Sequence, residues 1–373
     1  MTSFSIEATR LRRMVKALDL VVERRNTIPI LGTVLIRAKD NAIIATVTDL
    51  EQDMIITDEA VTEGKSEFCI NLDTLKRFAS FATGAVAFTM VETPKSFSEH
   101  AVEITDSDTS LRVNTLWPVV DFPVNTWTKP QAVSAQRWKM SHDQAKRLFG
   151  NLLHCISTEE TRYYLNGVFL TAKPEANTLR AVATDGHRLG VVDTDIPVDS
   201  DFGAIVPRKS VNLIMAMFTK GGNEPISVTV SDLHYQIKVS DVLLAGKLID
   251  GRFPDYTRVI PSGEPKMSAH VSAESVKRLN AMLTGGRFAR SAVAFDYDTQ
   301  RLNGQSADSE YEFSVPFQGT SEVKGHQGFN FRFLYEQSRV TPAFTMKAAG
   351  VNDPAIVQGE DPDAMWVMMP MRV

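Results

Sequence analysis

Ser141-His-Asp-Gln-Ala145-Lys146-Arg147-Leu148 and Ser272-Ala-Glu-Ser-Val276-Lys277-Arg278-Leu279 share a serine, a three-residue spacer and an apolar-Lys-Arg-apolar block at one offset. Asn71-Leu-Asp-Thr-Leu75-Lys76-Arg77-Phe78 repeats the pattern, and Leu11-Arg12-Arg13-Met14 carries the same core block without the polar lead. Similarity of a chain to itself points to repeated units before any secondary structure is assigned. In the first three segments the Ser or Asn can accept a hydrogen bond from a free first-turn N–H, and the acidic residue that follows complements the helix dipole. Ser141 with Gln144 also fits a capping box. These are helix starts.

The helices share one amphipathic register. Leu11, Met14, Val15, Leu18 and Val22 form an apolar stripe on a helix expected near Glu7 to Arg24, and Ala145, Leu148, Phe149, Leu152 and Ile156 form another. At about 100° per residue the basic pair of each block falls opposite its stripe. One such helix is an ordinary solvated face; four in the same register are a pattern.

Around these helices the rest of each unit repeats as well. Short β-rich runs follow the leading helices at Pro29 to Ile36, Tyr164 to Leu170 and Ser291 to Tyr297, then at Ile43 to Thr48, Leu179 to Ala183 and, more weakly, around Arg301. Second helices are expected at Leu72 to Phe81, Pro207 to Phe218 and Phe331 to Arg339, introduced by Asn71, a Val-Pro break and Asn330. Closing strands such as Ile226 to Val230, Tyr235 to Val239 and Leu243 to Lys247 follow. Pro-rich stretches at Trp117 to Pro130 and Phe253 to Pro265 break both patterns, and Gly350 to Pro362 reads as an exposed loop. The expected fold is α+β, with three repeated domains over 1–127, 128–256 and 257–373, each with two helices packed on antiparallel sheets.

Composition narrows the function. A chain of 373 residues, 43% hydrophobic and 23% charged, buries a large core and exceeds one ordinary domain. Neither a signal peptide nor a membrane span is supported, so a soluble cytoplasmic protein is expected. Cys69 and Cys155 stand at no metal-ligand spacing and read as buried, reduced thiols. A net charge of -5 discourages a broadly basic nucleic-acid binder, yet leaves room for positive charge confined to one surface.

At Arg162-Tyr-Tyr-Leu-Asn-Gly167, Ala183-Thr-Asp-Gly-His-Arg-Leu189, Val206-Pro-Arg-Lys209, Asp250-Gly-Arg-Phe-Pro-Asp-Tyr256 and Met369-Pro-Met-Arg-Val373, the chain resembles the bacterial polymerase III β subunit family, the sliding clamps. Thr27-Ile-Pro-Ile-Leu-Gly32 and Thr48-Asp-Leu-Glu51 also match, and the likeness runs end to end, more strongly in the first two domains. The resemblance implies a DNA clamp fold forming a head-to-tail homodimeric ring around duplex DNA, without sequence specificity, cofactor or catalysis. Six helices per chain give twelve per ring, and at about 10 Å each these enclose a hole of roughly 28 Å. That admits a duplex of roughly 20 Å.

It further implies that Arg12, Arg13, Lys16, Arg25, Lys76, Arg77, Lys146, Arg147, Tyr163, Tyr164, Lys277 and Arg278 face DNA. Tyr163 and Tyr164 are expected on a strand edge, where one of them could equally be core. Leu111 and Val113 would meet Met282 and Leu283 across the ring interface. The replicative polymerase, an ATP-dependent clamp loader and repair proteins would insert a short linear motif into a cleft between the second and third domains. That cleft would contain Leu165, Thr184, Gly186, His187, Arg188, Leu189, Pro254, Arg258, Val259, Val367, Met368, Met369, Pro370, Met371 and Arg372, with Phe329 to Arg339 near its rim.

Two other readings fare worse. A hydrolase would use Asp185-Gly-His187, His142 or His154, but the two histidines lie twelve apart on one expected helix, about 120° out of phase. No phosphate loop or nucleophile elbow accompanies them, and Asp185-Gly186 suits a tight turn with His187 and Arg188 opening the next strand. A sequence-specific DNA reader would need a helix-turn-helix or zinc module, which is missing from the pattern.

Overall fold

The computed structural model describes residues 2–23, 27–92, 100–114, 116–128, 135–218, 223–283, 292–305 and 312–372. One order of elements occurs three times in them: a strand, a helix, four or five strands, a second helix and three closing strands. The first series is β1 (Ser3–Glu7), α1 (Ala8–Leu18), β2 (Thr33–Lys39), β3 (Ala42–Thr48), β4 (Gln52–Glu59), β5 (Val61–Glu63), β6 (Ser66–Asn71), α2 (Leu72–Phe81), β7 (Ala85–Glu92), β8 (His100–Thr105) and β9 (Ser110–Val113). The second is β10 (Gln136–Met140), α3 (His142–Ala145), β11 (Gly167–Ala172), β12 (Thr178–Thr184), β13 (Arg188–Pro197), β14 (Gly203–Pro207), α4 (Arg208–Phe218), β15 (Ile226–Val230), β16 (His234–Val239) and β17 (Val242–Lys247). The third is β18 (Met267–Val271), α5 (Ala273–Leu283), β19 (Ala292–Asp296), β20 (Arg301–Gln305), β21 (Glu312–Pro316), β22 (Gln318–Ser321), β23 (His326–Asn330), α6 (Phe331–Val340), β24 (Phe344–Ala348), β25 (Ala355–Gln358) and β26 (Ala364–Met368).

Caps start these helices where the polar residues lead them. Asn71 accepts from Thr74 N at 3.2 Å, Ser272 Oγ from Ser275 N at 3.2 Å and Asn330 from Arg332 N at 2.9 Å. Glu7 opens α1 without a side-chain cap. Cys69 and Cys155 are both buried free thiols.

Several expectations are corrected. Helix α1 stops at Leu18, so Val22 leaves the stripe and Val21, past the end of the helix, is the buried residue. The second leading helix is not continuous: only His142–Ala145 is α, Lys146–Gly150 winds as a π turn and Leu153–Cys155 as a 3-10 turn. Ala145, Leu148, Phe149, Leu152 and Ile156 are nevertheless all buried. Gly150 weakens the helix there, and the indole of Trp366 donates to Asn151 O at 2.9 Å, taking a carbonyl that a continuing helix would use. His142 and His154 therefore do not share one helix.

Pro29–Gly32 and Glu160–Leu165 are 3-10 turns, which takes Tyr163 and Tyr164 out of the strand expected for them. That strand starts at Gly167, where a Cβ would sit 2.3 Å from Val206 O. The loop expected over Gly350 to Pro362 contains β25, with Ala355 and Val357 fully buried.

The described strands form four antiparallel sheets. Two of them, β5-β1-β7-β8-β9 and β21-β20-β19-β23, stay within one repeat. The others run β10-β15-β16-β17-β4-β3-β2-β6 and β14-β11-β12-β13-β26-β25-β24-β18-β22, and so join successive repeats. The junctions are the ladders from Val242↔Ile56 to Gly246↔Gln52 and from Arg188↔Met368 to Val192↔Ala364. Shared sheets explain why the chain gathers into two compact units, Met1–His142 with Ala216–Leu248 and Asp143–Met215 with Ile249–Val373, rather than one per repeat.

Candidate functional site

The turn between β12 and β13 is fixed by its own side chains. Gly186 N donates to Thr184 Oγ1 at 3.1 Å, and Asp185 Oδ1 accepts from His187 N at 2.9 Å and Arg188 N at 3.0 Å. This is an Asx turn with Gly186 in the left-handed region at φ 89°, as the Asp-Gly pair leads one to expect. Met369 N donates to His187 O at 2.9 Å, so the last strand is tied to this turn, and Met371 N reaches Gly328 O at 2.9 Å.

Behind the turn Leu165, Val182, Leu189, Val191, Ile205, Phe253, Tyr256 and Val367 form one apolar cluster. Its walls include Tyr164 and Phe169, the latter stacked on Phe253 at 4.8 Å. Of the expected cleft residues, Leu165, Leu189 and Val367 are thus core, and Met368 is buried too. The accessible part is the rim: His187, Val259, Met371, Arg372 and Arg258, whose side chain is 83% exposed. Thr184, Met369 and Pro370 are half-buried, and Pro254 is exposed.

A charged cluster adjoins the turn. Arg188 Nε meets Asp185 at 3.0 Å, its Nη2 meets Glu336 at 2.5 Å, and its guanidinium lies 4.4 Å from the Phe333 ring centroid, on which His187 also stacks. Burial opposes the Arg188 charge, but the Asp185 and Glu336 carboxylates offset it, so its pKa stays above the ordinary value. Burial likewise opposes ionisation of Glu336, yet Arg332 and Arg188 hold it below the usual carboxylate range. Burial, aided by the Arg188 charge, pushes His154 down to about 4, leaving its ring neutral while Gln337 lies 3.0 Å away. Phe333 and Glu336 fall in the Phe329 to Arg339 segment expected near the rim, whereas Asp185 and Arg208 of the quoted motifs, and His154, are not assigned to this site by the sequence. The one available signal was the Asn330-capped segment carrying Arg332 and Glu336 four apart on one helix face.

The basic residues of the leading blocks divide into two groups. Some brace the fold: Arg12 donates to Ala79 O and Ala82 O at the end of α2, Arg13 meets Asp58 and Asp241 at 3.0 Å each, and Lys76 pairs with Asp19. Arg147 grips Asp361 and Asp363, whereas the exposed Arg278 pairs only with Glu274 one turn back on its own helix. Lys16, Arg77, Lys146 and Lys277 are exposed. Tyr163 is exposed, with Tyr164 edge-on to it and half-buried, whereas Arg25 lies outside the described residues.

Leu111 and Val113 are half-buried on β9, an edge strand of its sheet. Met282 and Leu283 end α5, and their side chains lie outside the described set. Among the described residues no group of three or more His, Cys, Asp or Glu could hold a metal ion, and no helix is long and apolar enough to cross a membrane.

Comparison with known proteins agrees with this architecture. Residues 2–124 match the model for the N-terminal domain of the DNA polymerase III beta subunit, and residues 139–255 the model for its central domain. The chain is 29% identical over 384 residues to the beta sliding clamp of Caulobacter vibrioides, covering 99% of both chains. It is similar to a DnaN sliding clamp of Bartonella birtlesii crystallised with griselimycin, at 26% identity, full coverage of both chains and a TM-score of 0.86. A DNA polymerase sliding clamp from Caulobacter crescentus is similar at 27% identity, again over both full chains, with a TM-score of 0.85.

Proposed function

Because this chain belongs to the DNA polymerase III beta subunit family, the sliding clamps, we propose that it encircles duplex DNA and tethers the replicative polymerase to it as a processivity factor rather than a catalyst. The observation that carries this reading is the threefold order of elements in a chain alignable end to end with clamps. The three repeats correspond to domains 1–127, 128–256 and 257–373. Two chains meet head to tail, the Leu111–Val113 edge of one against the Met282–Leu283 helix end of the other. Such a heterologous contact closes into a ring only when its rotation is right.

Within the ring, exposed Lys16, Arg77, Lys146, Lys277 and Arg278 attract phosphates without reading bases, while Arg12, Arg13 and Arg147 chiefly hold their helices in place. Lys76 is tied to Asp19, and Arg25, Tyr163 and Tyr164 contact duplex or adjoining template. The rim around His187, Arg258, Val259 and Met371, over the Leu165–Leu189–Val367 wall, receives a linear motif. The polymerase, an ATP-dependent loader and repair proteins share it, in the cytoplasm.

Two measurements test the reading together. Light scattering over a concentration series gives a particle of twice the 41.3 kDa chain, and loaded protein stays on nicked circular DNA but slides off linear DNA. A monomer at every concentration, or equal loss from both DNAs, overturns it.

A further inference from the structure

Beside the β12–β13 turn lies a cavity of about 500 Å³ whose lining carries four guanidiniums, Arg188, Arg208, Arg332 and Arg339, and three carboxylates, Glu159, Asp185 and Glu336. The carboxylates are all committed. Asp185 and Glu336 hold Arg188, Glu336 also holds Arg332 at 2.8 Å, and Glu159 is taken by Arg162, which is not part of the lining. Of the guanidiniums, Arg188 and Arg332 are held by these carboxylates, whereas Arg208 and Arg339 meet no carboxylate among the described residues. Arg188 is 7% exposed, and its Nη1 has no hydrogen-bond partner. Arg208 Nη1 meets a neutral carbonyl, Ile156 O at 3.0 Å, and the exposed Arg339 stands at the end of α6. The Arg188 Nη1 is shielded from solvent, so the donors open to a ligand are those of Arg208 and Arg339, and a guanidinium fork pairs with an anion such as a carboxylate or a phosphate through two parallel bonds.

We infer that this cavity is an anion subsite that receives an acidic side chain, Asp or Glu, of a peptide docked on the adjoining rim. The inference rests on the partner-cleft reading and adds the chemistry of the partner to it. A carboxylate on a flexible side chain can enter a cavity of this size and share the charge of Arg208 and Arg339. A phosphate fixed on the surface of a duplex roughly 20 Å across reaches the exposed Arg339 more readily than the half-buried Arg208, whereas a flexible side chain can reach both.

The test uses the full-length protein and a displayed library of random linear dodecapeptides, panned against wild type and against R339Q, whose altered side chain is exposed and so leaves folding intact. The strongest wild-type binder and its twin with Glu or Asp changed to the amide are then titrated by fluorescence anisotropy against wild type, R339Q and R208Q/R339Q. Wild type is expected to enrich peptides with an acidic residue at a fixed distance from apolar ones. The amide twin should bind wild type about tenfold more weakly, a loss that shrinks toward nothing in R208Q/R339Q. Peptides with apolar residues but no fixed acid, or a twin penalty equal in all proteins, overturn the anion subsite and leave the cleft standing. If no peptide is captured, the cleft reading falls and the subsite with it. If the substitutions weaken binding of a duplex oligonucleotide and leave the peptide untouched, the anion is phosphate and the inference is wrong.

Discussion

At the Thr48–Gln52 turn Leu50 N donates to Thr48 Oγ1 at 3.1 Å, and Asp49 Oδ1 accepts from Glu51 N at 2.9 Å and Gln52 N at 2.8 Å. At the Thr184–Arg188 turn Gly186, His187 and Arg188 make the same three bonds, to Thr184 and Asp185. Each turn also ties the neighbouring repeat, through Lys247 N to Glu51 O and Met369 N to His187 O, both 2.9 Å. The bonding matches through Gln52 and Arg188 although the side chains differ; one residue later Asp53 occupies the place of Leu189, and the difference grows in the connecting segments. Phe122-Pro-Val-Asn-Thr-Trp127 and Phe253-Pro-Asp-Tyr-Thr-Arg258 are matched in spacing, but Trp127 is 7% exposed and the Arg258 side chain 83%. Trp127 packs against His234 and lies under Lys247, and its carbonyl takes a bond from Gln236 at 2.6 Å. One junction is filled by its own chain; the other keeps a rim that, on the proposed reading, a partner fills.

This contrast breaks most visibly at the tryptophan. Trp127→Ala should destabilise the full-length protein by about 3–5 kcal/mol, since it empties a large buried site. Arg258→Ala should stay within about 0.5 kcal/mol while weakening peptide capture. Urea unfolding measures the first pair of values and anisotropy the second; equal costs at the two positions would mean that the junctions are filled alike.

Sequence patterns carried the fold where one local rule acted alone. Asn71 and Asn330 mark helix starts because a short polar side chain there satisfies a free N–H, and α2 runs over Leu72–Phe81 as its periodicity implies. Periodicity failed where long-range bonds compete with the helix, as when Trp366 takes the carbonyl of Asn151, 215 residues away. The Thr-Asp-Gly turn was legible, because its hydrogen bonds close within a few residues. The place of Phe333 and Glu336 beside it came only from the family resemblance and that of Arg208 not at all, since nothing local states that α6 and the start of α4 converge on β13. The even spacing of Lys and Arg in the leading blocks also concealed that Arg12 and Arg147 have structural partners from distant segments.

The same exchange at matched positions sharpens the comparison. Arg188 and Gln52 both follow the turn Asp, and both bond its second oxygen at 3.0 Å. Arg188→Met leaves Asp185 without its cation and Glu336 with Arg332 alone, and should cost about 3 kcal/mol. Gln52→Met removes an uncharged partner's bond to the Asp49 carboxylate and the bond it accepts from Tyr235, a loss of about 1–2 kcal/mol. Raised salt should narrow the gap little, because the Arg188 cluster is largely shielded from solvent. A gap that closes in high salt would show that cluster to be an ordinary surface network.

The smallest expected effect separates the junctions by pH. Burial raises Asp53 from 3.8 to about 6 despite bonds from Thr48 and Asn125, so the fold favours its protonated form. The associated stability is fully present below 3.8 and is lost as pH rises through about 6, leaving a buried charge at pH 7.5. His154 acts in the opposite sense: lowered from 6.5 to about 4, it contributes fully above 6.5 and loses that contribution as pH falls through about 4. Asp53→Asn should therefore gain about 1 kcal/mol at pH 7.5, since one pKa unit is worth about 1.4 kcal/mol and imperfect pairing with Asn125 offsets part of the shift. At pH 4 the gain should vanish, whereas His154→Gln should change the acid limb alone. Urea midpoints for the three proteins at pH 4, 5.5 and 7.5 decide it, and an Asp53→Asn gain of the same size at every pH would show that the carboxyl does not titrate in the folded state over this range.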